Sequence, residues 1–342
     1  MVNIHDYIYS DDFKLSQSRL KNLLYGNPNG FIWRNDSGDT PASLLGKITE
    51  TLLLERELFN EKFKVVDLTP PTAQMGEFVE HLLKFPNVDY EEILQGAFDT
   101  VGIKRGSLET FTKRFEIEGK EYYEQMLEVI NTKKSIVTSD LVNKANELVN
   151  CALGDERFME LITLKKNESI HVQELLYFMY MGEPCIALPD LYKVNDLTRK
   201  ITLVDIKTTS KNPKTAAKDN RWDIQGSFYK KALEQNYPGY IVDKVFYYVL
   251  RTDSIQRPIM LQLTGLDLLI GEVGANVQGS LYEFEGFDYR TYHSIIGFKQ
   301  LVERFKWHRD NDEWELSREE VEQGVSQLNL FTGENGEYVV KT

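Results

Sequence analysis

Residues 1 to about 160 repeat their apolar positions at helical spacing, and from about Ser169 to Leu263 the pattern changes to apolar, β-branched runs that suit strands. The first part predicts helices over 43–63, 76–84, 90–101, 120–131 and 139–151, with Pro70-Pro71 breaking the first pair. In the second part, 186–209 sets two apolar runs around Asn195-Asp196, the mark of a β-hairpin. The segments 242–252 and 257–264 read as a second strand pair extending the same sheet. Between the pairs lie a polar, lysine-bearing loop over 210–220 and then 221–235, where Ile224, Phe228 and Leu233 fall at helix-compatible spacing. A long helix over 291–308, offering Phe298, Leu301, Val302, Phe305 and Trp307 for packing, is predicted to cover the sheet. The segment 329–342 reads as a short Gly-bearing tail, and the chain carries no internal repeat. These elements describe an α/β chain read as one domain over 1–328: a mainly helical portion 1–160, a core 169–263 and covering helices 264–328.

The hairpin concentrates chemistry on one face. With its turn centred near residues 197 and 198, Asp190 and Asp205 stand at matching distances on either side and oppose each other, their Cβ atoms roughly 5 Å apart. Lys207, two residues beyond Asp205, points to the same face because strand side chains alternate. Two adjacent carboxylates repel, and near a buried sheet one protonates unless a cation intervenes. Mg²⁺ prefers hard oxygens and is typically held by one or two carboxylates, waters and phosphate oxygens, so the pattern asks for Mg²⁺, with Mn²⁺ as a substitute. A lysine beside it can orient or help deprotonate an attacking water, which is the chemistry of phosphodiester hydrolysis. Acid-x-Lys also occurs at Asp12 to Lys14 and Glu118 to Lys120, but neither follows an apolar strand. Gln225 and Tyr229, four apart on the following helix, share a face from which both reach toward the site or a DNA phosphate. The alternative is Tyr229 as core packing and Gln225 as an exposed residue.

Pro189-Asp190, Asp205-Ile206-Lys207 and the Gln225–Tyr229 pair together resemble the PD-(D/E)xK nuclease superfamily, with the Gln-xxx-Tyr element of its RecB-like branch. Within that branch the chain is most similar to phage RecE-like exonucleases of the exodeoxyribonuclease VIII type. Residues 139–162, followed by Glu174, resemble the family's helix and the glutamate that opens its nuclease core. Upstream, 44–65 resembles the family's first motif: Gly46 matches its glycine, and Glu50 stands where the family has a histidine. As an oxygen ligand Glu50 makes the site harder and more suited to Mg²⁺; otherwise it is an exposed helix residue.

The resemblance spans about Leu44 to Tyr229 and implies a restriction-endonuclease-like core, a mixed central sheet flanked by helices. It implies Asp190 and Asp205 as Mg²⁺ ligands, with Glu174 and Glu50 as further ligands, direct or through water. In the same scheme Lys207 positions the water, and Gln225 and Tyr229 hold substrate or orient Lys207 and the metal ligands. The implied activity is digestion of linear double-stranded DNA from its ends, 5′ to 3′, in phage-type recombination or repair. The 3′ single strand left behind would pass to a recombinase or single-strand annealing protein. Ring-shaped homo-oligomers that confine DNA in a channel are the family's assembly.

Composition narrows the choice. With 42% hydrophobic residues among 342, and no low-complexity tract, the chain can bury a substantial core. No apolar run approaches the roughly 20 residues of a membrane span, and the N-terminal residues lack the pattern of a signal peptide. A cytoplasmic protein, in the host cytoplasm if phage-encoded, with no membrane partner is therefore expected. Cys151 and Cys185 read as reduced thiols and are too few for a four-cysteine iron–sulfur cluster, so none is expected.

The 40 basic and 53 acidic residues give a net charge of −13, which weakens indiscriminate DNA binding and requires local attraction. Lys211, Lys214, Lys218 and Arg221 are the DNA-binding candidates around the site, followed by Lys104, Arg105, Lys133 and Lys134; each reads individually as solvated surface. No phosphate-cradling P-loop is present, which excludes an attached ATPase motor. The five histidines are scattered, and only His171, three residues before Glu174, is an outside candidate for the site. Trp33, Trp222, Trp307 and Trp314 read as core or interface, with Trp222 also able to stack on a DNA end. Two other readings stand beside the exonuclease: a structure- or site-specific endonuclease on the same core, and a catalytically inactive DNA-binding or assembly protein. Glu50 favours the last; Asp190, Asp205 and Lys207 oppose it.

Overall fold

The structure, a computed structural model, describes residues 7–24, 28–32, 39–102, 107–253, 257–284, 287–316 and 318–323. The chain divides into two compact units, one of 39–155 and the other of 1–38 with 156–342. Helices α1 (Gln17–Lys21) and α2 (Asn29–Ile32) belong to the second of these. The sequence pattern places this opening segment with the helical N-terminal portion, yet Phe13, Leu15, Leu20, Leu23 and Phe31 are buried in the core of the sheet-bearing unit. The reason is aromatic: Phe13 stacks on Phe305 at 5.5 Å and Phe31 on Trp314 at 5.4 Å.

The unit 39–155 contains α3 (Pro41–Leu54), α4 (Phe59–Lys62), β1 (Phe63–Val65), α5 (Ala73–Leu83), α6 (Tyr90–Val101), α7 (Leu108–Glu118), α8 (Lys120–Thr132), β2 (Ser135–Val137) and α9 (Ser139–Leu153). The helix expected over 43–63 is broken at Glu55, whose backbone leaves the helical region, and its last residue begins β1, which pairs in parallel with β2. Helix α7 escaped the sequence reading because few of its positions are apolar; Phe111 and Phe115 hold it, packing on Phe78 at 5.0 and 5.5 Å. The other helices follow the predicted spacing.

The sheet-bearing unit continues with α10 (Glu156–Ile162), β3 (Glu168–Val172), β4 (Leu176–Tyr180), β5 (Glu183–Ala187), β6 (Leu191–Asn195), β7 (Lys200–Thr209), α11 (Pro213–Asp219), α12 (Trp222–Asn236), β8 (Ile241–Arg251), β9 (Ile259–Gln262), α13 (Gly265–Val273), β10 (Ala275–Phe284), β11 (Phe287–Ile295), α14 (Phe298–Asn311) and α15 (Arg318–Gln323). The central sheet runs β3-β6-β7-β8-β9. It is mixed: β7 and β8 are parallel, and every other neighbouring pair is antiparallel. The run 186–209 is two strands before its turn, not one, because Pro189 has no N–H for a ladder; β5 pairs with β4 and β6 enters the central sheet.

Both faces of β7 are covered, which is why its sequence reads as almost continuously apolar. On one face Ile201 and Leu203 pack with Ile224, Phe228 and Leu233 of α12 and with Phe298, Leu301, Val302 and Phe305 of α14. On the other, Phe158 of α10 meets Tyr248 of β8 at 4.8 Å. The covering helix begins at Phe298 rather than near 291, because 287–295 pairs with β10 as a hairpin strand and Gly297 intervenes. Trp307 is only half-buried, and Trp314 takes the core place instead. Among the described residues no helix is long and apolar enough to cross a membrane. His5, Trp33, Lys104, Arg105 and the tail 329–342 lie outside the described residues.

Candidate active site

The β6–β7 register pairs Leu191 with Val204, so Asp190, one step before β6, stands opposite Asp205. Asp190 Oδ2 accepts the Ile206 amide at 2.7 Å. Its backbone oxygen accepts the Gln173 amide at 3.1 Å, and Gln173 Nε2 reaches Oδ1 at 3.4 Å. Asp205 is 2% exposed; its Oδ1 accepts from Gln225 Nε2 at 2.9 Å, and its Oδ2 is 2.5 Å from Lys207 Nζ. Gln225 Nε2 also lies 3.2 Å from the Tyr229 hydroxyl, one helical turn on. Asp190, Asp205, Lys207, Gln225 and Tyr229 therefore come together as the spacing predicts. The alternative of Gln225 as an exposed residue is corrected: it is 7% exposed, and its amide holds the buried carboxylate.

Charge within the cluster is asymmetric. Burial opposes the charge of Lys207, but the Asp205 and Asp190 carboxylates outweigh it and hold the ammonium well above the ordinary lysine value. Burial, with the Asp205 charge behind it, pushes the Tyr229 phenol up. Lys207 is thus a fixed cationic donor and Tyr229 a neutral hydroxyl. Lys207 Nζ also lies 5.9 Å over the Tyr247 ring, from β8.

The remaining candidates are distributed differently. Glu174 Oε2 is engaged by His171 Nδ1 at 2.5 Å and by the Tyr192 hydroxyl at 2.8 Å. His171 in turn stacks on Tyr192 at 4.6 Å, which accounts for its position beside Glu174. Glu50 stands on α3 of the other unit, one turn after Gly46. Lys211, Lys214 and Lys218 are exposed on and before α11, with Lys211 3.1 Å from Asp219. Arg221 is fixed rather than mobile: its guanidinium grips Asp223 at 3.0 and 2.7 Å and donates to Ile296 O at 2.7 Å. Trp222 is 4% exposed and stacks on Tyr247, so it is a core residue and does not present its face to a DNA end.

Two participants were missed. Gln173 reaches Asp190 from the end of β3, in a left-handed backbone conformation at φ 49° that nothing in its sequence context signals. Lys21 of α1 donates to Asn220 O at 2.8 Å, and its ammonium is in electrostatic reach of Lys207 and Asp205. Its distance along the chain hid it.

The donor set fits a hard divalent cation. Asp205 Oδ2 is buried and faces the Lys207 ammonium at 2.5 Å. A carboxylate oxygen there keeps unused acceptor capacity. Among the described residues no three Asp, Glu, His or Cys side chains gather to hold a metal. A cation between Asp190 and Asp205 would complete its shell with water and substrate oxygens, the habit of Mg²⁺.

No family model matches the chain, and no curated protein matches it. Among solved structures it is similar to a protein of Eubacterium rectale named "Putative exonuclease", with 13% identity, a TM-score of 0.46, and coverage of 95% of this chain and 93% of that one.

Proposed function

We propose that this chain is a metal-dependent deoxyribonuclease of the PD-(D/E)xK class, RecE-like, that hydrolyses linear double-stranded DNA from its ends in the 5′ to 3′ direction. The observation that carries the reading is the convergence of Asp190, Asp205 and Lys207 on one face of the β6–β7 hairpin, with Gln225 bonded to the buried Asp205. Mg²⁺ or Mn²⁺ on Asp190 and Asp205 would polarise a phosphoryl oxygen and supply an activated water. Lys207, kept cationic by both acids, stabilises charge developing on the phosphate. Gln225 fixes the Asp205 carboxylate and ties it to Tyr229. Lys211, Lys214 and Lys218 draw the DNA backbone locally against the net charge of −13. His171 and Tyr192 hold Glu174 Oε2, so a contact from Glu174 to the metal would fall to Oε1. Homo-oligomerisation and a recombinase or annealing partner belong to the same proposal.

The test is digestion of a linear duplex labelled at its 5′ or 3′ end, with Mg²⁺ or EDTA, beside a closed circle. Metal-dependent release of 5′-labelled nucleotides from the linear DNA alone is expected, and Lys207→Ala should reduce it by about 10²–10³-fold with DNA binding nearly unchanged. Cutting of the circle would make the chain an endonuclease. No cutting with either metal would leave a DNA-binding protein.

A further inference from the structure

Beside the acid–lysine cluster the same unit contains a cleft of about 660 Å³, within the size range of small-molecule sites. Its walls are apolar, formed by Leu24 after α1, Leu263 and Ile270 around α13, and Ile296 before α14. Lys214 and Lys218 of α11 stand at its edge, and among the described residues neither is ion-paired. The two acids in the lining are already engaged: Asp223 by Arg221, and Asp267 by the Thr264 amide and hydroxyl, each at 2.7 Å. The cleft therefore offers an apolar interior with two lysines, Lys214 and Lys218, among its lining residues. An anion with an apolar plate attached complements both.

The cleft is also joined to the acid–lysine cluster. Lys21, one turn before Leu24, donates to Asn220 O at 2.8 Å, next to Arg221 of the lining. Trp222 of the lining stacks on Tyr247 at 4.8 Å, and Lys207 Nζ lies 5.9 Å over the same Tyr247 ring. A phosphate at the cluster and a group in the cleft can thus belong to one ligand.

We infer that this cleft seats a single unpaired deoxynucleotide of the DNA strand next to the scissile bond, its base against Leu24, Ile270 and Ile296 and its phosphate toward Lys214 and Lys218. The choice of a deoxynucleotide over another phosphorylated, flat ligand rests on the nuclease reading. A base held this way separates the terminal nucleotide from its partner strand, and base stacking on apolar surface is tolerant of sequence.

The proposal is tested by titrating the full chain in EDTA with 2′-deoxyadenosine 5′-monophosphate, a short oligodeoxyadenylate and deoxyribose 5-phosphate. The base should strengthen binding about tenfold or more over the sugar phosphate. The oligodeoxyadenylate should bind at least as tightly as the mononucleotide, whereas a clear preference for the mononucleotide would overturn the strand assignment. Ala217→Trp, which fills the cleft from α11, should abolish the advantage of the base, and Lys214→Glu with Lys218→Glu should weaken all three ligands while leaving melting unchanged. Equal binding of deoxyadenosine monophosphate and deoxyribose phosphate would overturn the inference, as would normal base-dependent binding by a folded Ala217→Trp. Asp205→Asn separates the two readings, since it should abolish cleavage and keep nucleotide binding. Wild-type cleavage without base-dependent binding sinks the cleft alone; base-dependent binding without cleavage sinks the nuclease reading and sustains the cleft.

Discussion

Lys21 shows how a residue far from the hairpin is recruited to it and what that does to its acid–base behaviour. Desolvation first, and the Lys207 charge second, lower its ammonium to about 8. Between about 8 and the ordinary lysine value near 10.4, the unfolded chain binds more protons than the folded one, so this group makes stability rise with pH across that window. Below it the penalty is complete. Lys21→Met removes the penalty, so the variant should melt above the wild type at about pH 7, and the gap should close as pH is raised toward about 10. A constant gap in paired thermal melts would show that the ammonium is not burdened. At this scale Asp190, Asp205 and Lys207 were legible, because period-2 alternation and one turn fix which side chains share a face. Gln173 and Lys21 were not, since a left-handed backbone and a contact across 199 residues leave no local pattern.

At the scale of elements, α12 and α13 approach each other closely. A Cβ added at Gly271 would lie 2.2 Å from Asp223 O and 2.4 Å from Ser227 Oγ. Ser227 Oγ itself bonds Asp223 O and Leu268 O at 2.7 Å each, so the helices are tied as well as packed. Gly271→Ala should therefore cost about 1–3 kcal/mol, read from urea unfolding. An unchanged midpoint would mean that α13 can slide away without loss. Helix existence was legible wherever apolar positions recur, as in α6 and α12. The boundaries that failed did so for identifiable reasons: Pro189 splits a strand, Glu55 breaks a helix, and the partner of 287–295 is another strand whose pairing no helical count can reveal.

For the whole molecule, the net charge of −13 makes nucleic-acid attraction a local property. If Lys214 and Lys218 each neutralise a phosphate, Lys214→Gln with Lys218→Gln should lower the slope of log affinity against log salt by about 2. An unchanged slope, measured in EDTA by filter binding or anisotropy, would move DNA attraction elsewhere. One long-range arrangement bears on how the molecule comes into being. The Tyr9 hydroxyl bonds Asp312 at 2.7 Å across 303 positions, and Phe13 stacks on Phe305. The opening segment thus draws its partners from well-separated parts of the chain: Leu15 bonds the backbone of Pro184 and Ile186, Lys21 bonds Asn220, and Phe13 meets Phe305. Contacts of such sequence separation are expected to form after local ones, so the docking of Phe13 on α14, rather than the hairpin that bears the acids, is expected to close the core last.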